Sequence, residues 1–236
     1  MRWKSGTSSR RRSILHSEGH RTTQLTAMRV LVLGASGATG HEVVRQALAQ
    51  ELSVTAFVRD PARLTLRGPT LSVLQGDVGD FAAVAGAVEG QEAVISTLGV
   101  SRPLHPDPVV VDGIRHTLRA MQEHGVSRLV YLSFIGVQDS RAAAGFVIRH
   151  IAKYPLRHEI ADHEAKEALI RGSRCDWTIA RAPKLSNGQP TGRYREGEDI
   201  VARSLFPVLP RADVAEFLLR QVHERTYIRK APRILP

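Results

Sequence analysis

At 236 residues, 42% hydrophobic and 24% charged, the chain is long enough for one large α/β domain and short for two. Its formal charge of +10 would suit a polyanion, but residues 1–27 carry six Arg or Lys against one Glu, half of that excess. No basic-aromatic pattern of a nucleic-acid module occurs, so nucleic acid is not the expected partner.

The single cysteine, Cys175, rules out an intramolecular disulfide and a thiol-based metal site, and it fits a reducing, cytoplasmic setting. No run of about 18 apolar residues marks a membrane span. Residues 1–27 are rich in Ser, Thr, Arg and Gly, lack hydrophobic periodicity, and are expected to be a disordered basic leader. Arg10, Arg11 and Arg12 are reminiscent of a twin-arginine signal, but no apolar region follows them. The favoured reading is an upstream extension, with the native start at Met28.

From Met28 onward the pattern becomes regular. Residues 30–33 form an apolar run suited to a strand buried on both faces. Gly34, Gly37 and Gly40 then lead into a helix that keeps Val43, Val44, Ala47 and Leu48 at helical spacing, and residues 54–58 read as a second strand. A GxxGxxG turn in that setting is expected to bind a dinucleotide. Glycines let backbone N–H groups approach a pyrophosphate, the helix starting near Ala38 offers its positive end, and Ser36 and Thr39 add hydroxyls. An ordinary strand-to-helix turn is the bland alternative, and the flanking strands and helix weigh against it.

The residue that selects between nicotinamide cofactors lies about 20 positions further on. Arg59 stands there, with Arg63 one helical turn later, and planar guanidinium donors suit a 2′-phosphate, so NADP(H) is expected over NAD(H). Asp60 leaves an alternative open, because a one-residue shift of the strand end puts a carboxylate in the selecting position.

Strands and helices then alternate, which implies a parallel sheet covered on both faces. A third strand is predicted at 70–75 and a fourth at 93–98; between them Phe81, Val84, Ala85 and Val88 form a helical face. Asp107 and Pro108 open the next helix, whose Val110, Val111, Ile114, Leu118 and Met121 should face the sheet, and Gly125 closes it. A fifth strand at 128–132 places Ser133 at the carboxyl edge, where ligands of open α/β sheets bind. A helix within 154–171, a sixth strand at 176–181 and a last helix at 212–223 complete the domain. Residues 182–210, rich in Pro, Gly and charge, are expected to be a long functional loop.

The ordered series GASGATG, VRD, GDV, STLG, RLVYLSFIGV, AKEALI, DWTIARAP, TGRYR and RADVAEFLL, from Met28 to the end, resembles the atypical short-chain dehydrogenase/reductase proteins. Among these it is most similar to the NAD(P)H-binding, NmrA-like group that includes the biliverdin reductase B and flavin reductase type. The resemblance implies a single-domain α/β fold over 28–236, a Rossmann-like doubly wound parallel sheet, with a substrate loop at about 182–210. It further implies that Gly34, Ser36, Gly37, Ala38, Thr39 and Gly40 bind pyrophosphate, that Arg59 and Arg63 bind the 2′-phosphate, and that Asp77 and Val78 lie against adenine. Thr97, Leu98 and Gly99 would flank the ribose and nicotinamide, and Pro183 would touch the nicotinamide end. Ser133 and Lys166 are the candidate catalytic groups.

One departure matters. Counting back from Lys166, the tyrosine of the usual Tyr-x-x-x-Lys pair is replaced by Asp162. A phenol with a lowered pKa is what moves protons on a substrate oxygen in typical members. The expected activity is therefore hydride transfer from NADPH to a small planar acceptor, flavin or quinone in type, by a monomer or homodimer. The alternatives are a non-catalytic NADPH-sensing regulatory protein and a nucleotide-sugar epimerase or dehydratase, for which the chain is short.

Lys166 on its helix is by default a solvated charge. His158, Glu159, Asp162 and His163 read as a solvated face rather than a metal site, because five-residue spacing separates the two histidines around the helix. Arg193, Tyr194 and Arg195 either cover an anionic ligand or form a short strand.

Overall fold

The computed structural model describes residues 1, 27–99, 108–143 and 157–236. Almost all of the basic leader, and Asp107 as a helix cap, fall outside the described residues. In chain order the elements are β1 (Arg29–Leu33), α1 (Ala38–Ala49), β2 (Ser53–Val58), a 3-10 turn (Pro61–Arg63), β3 (Leu71–Gln75), α2 (Phe81–Val88), β4 (Ala93–Ser96) and α3 (Pro108–Glu123). There follow β5 (Arg128–Phe134), a 3-10 turn (Gln138–Ala143), α4 (Arg157–Arg171), β6 (Asp176–Ala182), β7 (Lys184–Ser186), β8 (Arg195–Gly197), β9 (Val208–Pro210), α5 (Arg211–His223) and β10 (Arg233–Leu235).

One sheet of eight strands, in the order β3-β2-β1-β4-β5-β6-β10-β8, organises the domain. Its strands are parallel except β8, which pairs antiparallel with β10. The two-residue period of a strand explains the two layers of core. On β1, Val30 and Val32 enter one cluster with Val43, Val44 and Ala47 of α1 and with Phe217 and Leu218 of α5. Leu31 and Leu33 point the other way, toward Val84 of α2, Ile114 and Met121 of α3, and Ile170 of α4. Each such buried aliphatic side chain contributes about 1.5–3 kcal/mol, so β1 is specified from both faces. The chain thus forms a Rossmann-like α/β fold with a mostly parallel, doubly wound sheet.

Several boundaries differ from the sequence reading. The fourth strand stops at Ser96. The fifth and sixth run on to Phe134 and Ala182, because Ser133 pairs with Arg181 and Phe134 with Ala182. The stretch 182–210 is not wholly irregular: β7 pairs in parallel with β9 in a small second sheet, and β8 joins the main one. Nor does the last helix close the domain, since β10 follows it and lies beside β6.

The largest correction concerns α4. Asp162, His163 and Lys166, expected on a solvated face, are buried, and Glu167 is buried with them. The helix packs this polar stripe inward, where partners from β5 and β6 receive it.

Candidate functional site

The site begins where β1 ends. Gly34 has φ of +79°, and a Cβ there would stand 2.9 Å from Thr97 Oγ1. A Cβ on Gly40 would come within 2.2 Å of the Gly34 carbonyl oxygen, so α1 approaches the turn as closely as it does only because both residues are glycine. The Gly37 N–H donates to Gly34 O at 2.9 Å and closes the turn. No side chain caps α1 at Gly37, so the N–H groups of its first turn are left to whatever occupies the adjoining cleft.

That cleft has a volume of about 680 Å³. It brings together Gly34, Ser36, Gly37, Ala38, Thr39, Gly40, Arg59, Arg63, Asp77, Val78, Thr97, Leu98 and Gly99, thirteen of the candidate residues from four separate segments. Arg59 follows β2 directly, and Arg63 ends the 3-10 turn. Asp60 is occupied otherwise: its carboxylate caps that turn by accepting the Ala62 N–H at 3.0 Å. Asp77 accepts from Gly79 N at 2.8 Å. Val78 is fixed by α3, whose His116 Nδ1 lies 2.9 Å from the Val78 carbonyl oxygen and whose Gly113 leaves no room for a Cβ beside Val78.

A second cavity of about 720 Å³ adjoins the first, and the two share Thr39, Thr97, Leu98, Gly99 and Arg211. Leu132, Ser133 and Phe134 of β5 form one wall, and Pro183, Lys184 and Leu185 another. Phe206, Pro207 and Val208 stand at its rim, with the Phe206 side chain 66% exposed. Glu159 and His163 line it from α4. At the junction, Arg211 Nη1 donates to Asn187 Oδ1 at 2.6 Å.

The two candidate catalytic residues fare differently. Ser133 reaches the second cavity but is only 3% exposed, and its hydroxyl donates to Glu167 Oε1 at 2.7 Å. Glu167 also takes two hydrogen bonds from Arg181, at 3.1 and 2.7 Å, in a pair with no solvent exposure. Lys166 lines neither cavity. Fully buried, it donates to the Leu98 carbonyl at 3.4 Å and thereby secures the segment both cavities share.

A tyrosine does lie near Lys166, though not at the usual position. Lys166 Nζ is 5.9 Å from the Tyr131 ring centre, and the Tyr131 oxygen is 2.7 Å from His163 Nδ1. Burial, followed by the nearby carboxylates of Glu167, Asp162 and Glu159, pushes the Tyr131 phenol well up. That is opposite to the shift alcohol chemistry requires. Burial, then Lys166, holds His163 well below the ordinary imidazole value. Burial also raises the Glu159 carboxyl, with Lys166 opposing and Asp162 adding to the shift.

Sequence reasoning passed over Tyr131, Arg211 and Phe206, and assigned Glu159 and His163 to a solvated face. A signal for α4 was present: Glu159, His163, Lys166 and Ile170 recur at four- and three-residue spacing, so the polar groups share the stripe that an apolar residue completes. Tyr194 and Arg195 face elsewhere. Tyr194 donates to Glu216 on α5, while Arg195 donates to the carbonyls of Val201 and Pro236.

Known proteins share these features to different extents. A reductase of (4-alkanoyl-5-oxo-2,5-dihydrofuran-3-yl)methyl phosphate from Streptomyces griseus is 34% identical over 152 residues, 64% of this chain and 46% of that protein. Quinone oxidoreductase 2 of Escherichia coli is 27% identical over 204 residues, 83% of this chain and 64% of that protein. The chain therefore spans only about half to two thirds of the length of these curated relatives. Among solved structures, the anaerobillin reductase ChuY of Escherichia coli superposes with a TM-score of 0.74 at 22% identity, covering 88% of this chain and 96% of that one, a likeness of fold. The family model described as NAD(P)H-binding matches residues 34–225. Since that match runs from the first glycine of the turn through the whole of α5, the chain belongs to the NAD(P)H-binding family.

Proposed function

We propose that the protein is an NADP(H)-dependent oxidoreductase that passes hydride to a small planar acceptor of flavin or quinone type. The observation that carries this reading is the junction of two unlike cavities at Thr97, Leu98 and Gly99, one of mixed polarity and built on the glycine turn, the other walled mainly by apolar side chains. The uncapped start of α1 suits a pyrophosphate, and Arg59 and Arg63 on the same cleft suit a 2′-phosphate, while Asp60 is turned into a cap. Asp77 and Val78 would lie against adenine, Thr97 to Gly99 beside the ribose and nicotinamide, and Pro183 at the nicotinamide end. When bound, the nicotinamide supplies the hydride.

The chain contributes placement. Leu132, Leu185, Phe206 and Val208 would sandwich a flat acceptor and exclude water, so the rate gain comes mainly from proximity and orientation. With its proton given to Glu167, Ser133 acts toward the cavity as an acceptor. The raised Tyr131 phenol and the withdrawn Lys166 argue against the acid–base chemistry of alcohol oxidation. The names of the two relatives, a quinone oxidoreductase and a reductase of a furanone phosphate, favour the same kind of acceptor. This reading places the protein in the cytosol.

The test is oxidation of NADPH by the full chain with FMN and with menadione, and NADH as the comparison. Turnover preferring NADPH supports the proposal. Tight NADPH binding without turnover would favour a non-catalytic, NADPH-responsive protein, and no binding would sink both.

A further inference from the structure

Two buried side chains on different elements meet behind the second cavity. His163 of α4 is 6% exposed and lines that cavity, while its Nδ1 lies 2.7 Å from the oxygen of Tyr131, a β5 residue with no exposure. We infer that Tyr131 locks His163 in the form protonated on Nε2, and that this Nε2–H donates a hydrogen bond to the acceptor in the cavity. His163 is then a catalytic residue and Tyr131 its positioning residue. The inference rests on the reading of the second cavity as the acceptor site.

The proton count leads there. Burial keeps the imidazole neutral and the phenol protonated, Lys166 adding to the first effect and Glu167, Asp162 and Glu159 to the second. A neutral imidazole has one N–H donor and one bare acceptor nitrogen. A buried O–H needs an acceptor, and the hydrogen bond described for the Tyr131 hydroxyl is with Nδ1. The shared proton therefore belongs to the oxygen, Nδ1 accepts it, and Nε2 carries the remaining hydrogen. Nε2 is also the ring nitrogen left for the cavity.

Such a donor suits hydride chemistry. The acceptor gains a hydride and its two electrons from the nicotinamide C4–H bond, which breaks, and negative charge grows on a carbonyl oxygen or ring nitrogen. A neutral N–H fixed at that point stabilises the charge without surrendering its proton, and water supplies the proton that completes the reduction.

The first test needs no turnover. In the full chain labelled with 15N-histidine, His163→Gln identifies the His163 signals among those of the ten histidines. At neutral pH they should show a protonated Nε2 and a hydrogen-bonded, unprotonated Nδ1, and Tyr131→Phe should shift the Nδ1 signal and mix the two neutral forms. A proton on Nδ1, or an imidazolium, overturns the inference.

The second test uses NADPH and menadione. His163→Phe should lower kcat by about 100-fold, whereas His163→Gln, whose amide N–H can stand in for Nε2–H, should recover most of it. Tyr131→Phe should lower kcat with KM little changed. Equal losses in the Gln and Phe variants, or no loss in either, overturn the donor role. A wild-type chain that turns over no acceptor but shows the expected nitrogen signals would sink the reading of the cavity, and the donor role with it, and leave the locked imidazole standing.

Discussion

Ser133 on β5 donates its hydroxyl proton to Glu167 on α4 across 2.7 Å, and the same carboxylate holds Arg181 on β6 at 2.7 Å. Glu167 and Arg181 have no solvent exposure, so a helix and two strands are joined by one desolvated ion pair directly behind the second cavity. Each ion also has an outer partner, Asp139 at 2.9 Å from Arg181 and Arg171 at 3.7 Å from Glu167, so removing one member leaves the other with only its more exposed partner, whereas replacing both with apolar residues removes the buried charge altogether.

Glu167→Ala should therefore destabilise the protein by about 3 kcal/mol, the low end for a broken buried pair because Asp139 still faces Arg181, read as a fall in the urea midpoint. The double variant Glu167→Leu with Arg181→Met should recover much of that loss. Ser133→Ala, which removes only the neutral donor, should cost about 1 kcal/mol.

At the turn, Gly40→Ala places a methyl group 2.2 Å from the Gly34 carbonyl oxygen, a backbone atom that cannot swing aside. The expected cost is about 1–3 kcal/mol in stability, with loss of NADPH binding in a fluorescence titration. An alanine at Gly86, where a Cβ meets nothing within 4 Å, should be harmless and serves as the control.

For cofactor choice, Arg59→Ala should weaken NADPH binding by about 10- to 100-fold, the worth of a charge-assisted contact, and leave NADH binding nearly unchanged. Equal weakening of both dinucleotides, measured by calorimetry, would mean that Arg59 does not read the 2′-phosphate.

His163 makes stability depend on pH. Its imidazole is held well below the ordinary 6.5 by burial and by Lys166, so below about pH 6.5 the unfolded chain takes up a proton there that the folded protein does not. The stability is fully present above the unfolded value and is lost as the pH falls toward the folded one. Urea midpoints at about pH 7.5 and 5.5 should lie further apart for the wild type than for His163→Gln.

What could be read in the sequence was what local pattern encodes. The run 30–33, the three glycines and the apolar spacing of α1 identify the dinucleotide unit because turn chemistry and helical period act over a few residues. The thirteen candidates on the first cleft were named for that reason, together with the family resemblance. What escaped was set by pairing between distant segments. Ser133 lies inside its strand because β6 extends alongside it, and β10 finds its place only between β6 and β8, both distant in sequence. On α4 the charges seemed destined for water, since nothing local reveals that Glu167 meets Arg181, or that His163 meets Tyr131 from a strand 32 residues away in sequence.

The short ladder of β7 and β9 gives the molecule an unequal ability to change. The first cleft stands at the ends of β1, β2 and β4, strands paired within the main sheet and covered by the two core clusters. Part of the wall of the second hangs on three residues paired with three, with Phe206 and Val208 open to solvent beside it. Substitutions and insertions between 184 and 208 can therefore reshape the second chamber while the first keeps its form. In a lineage of such proteins, the partner molecule would drift faster than the dinucleotide.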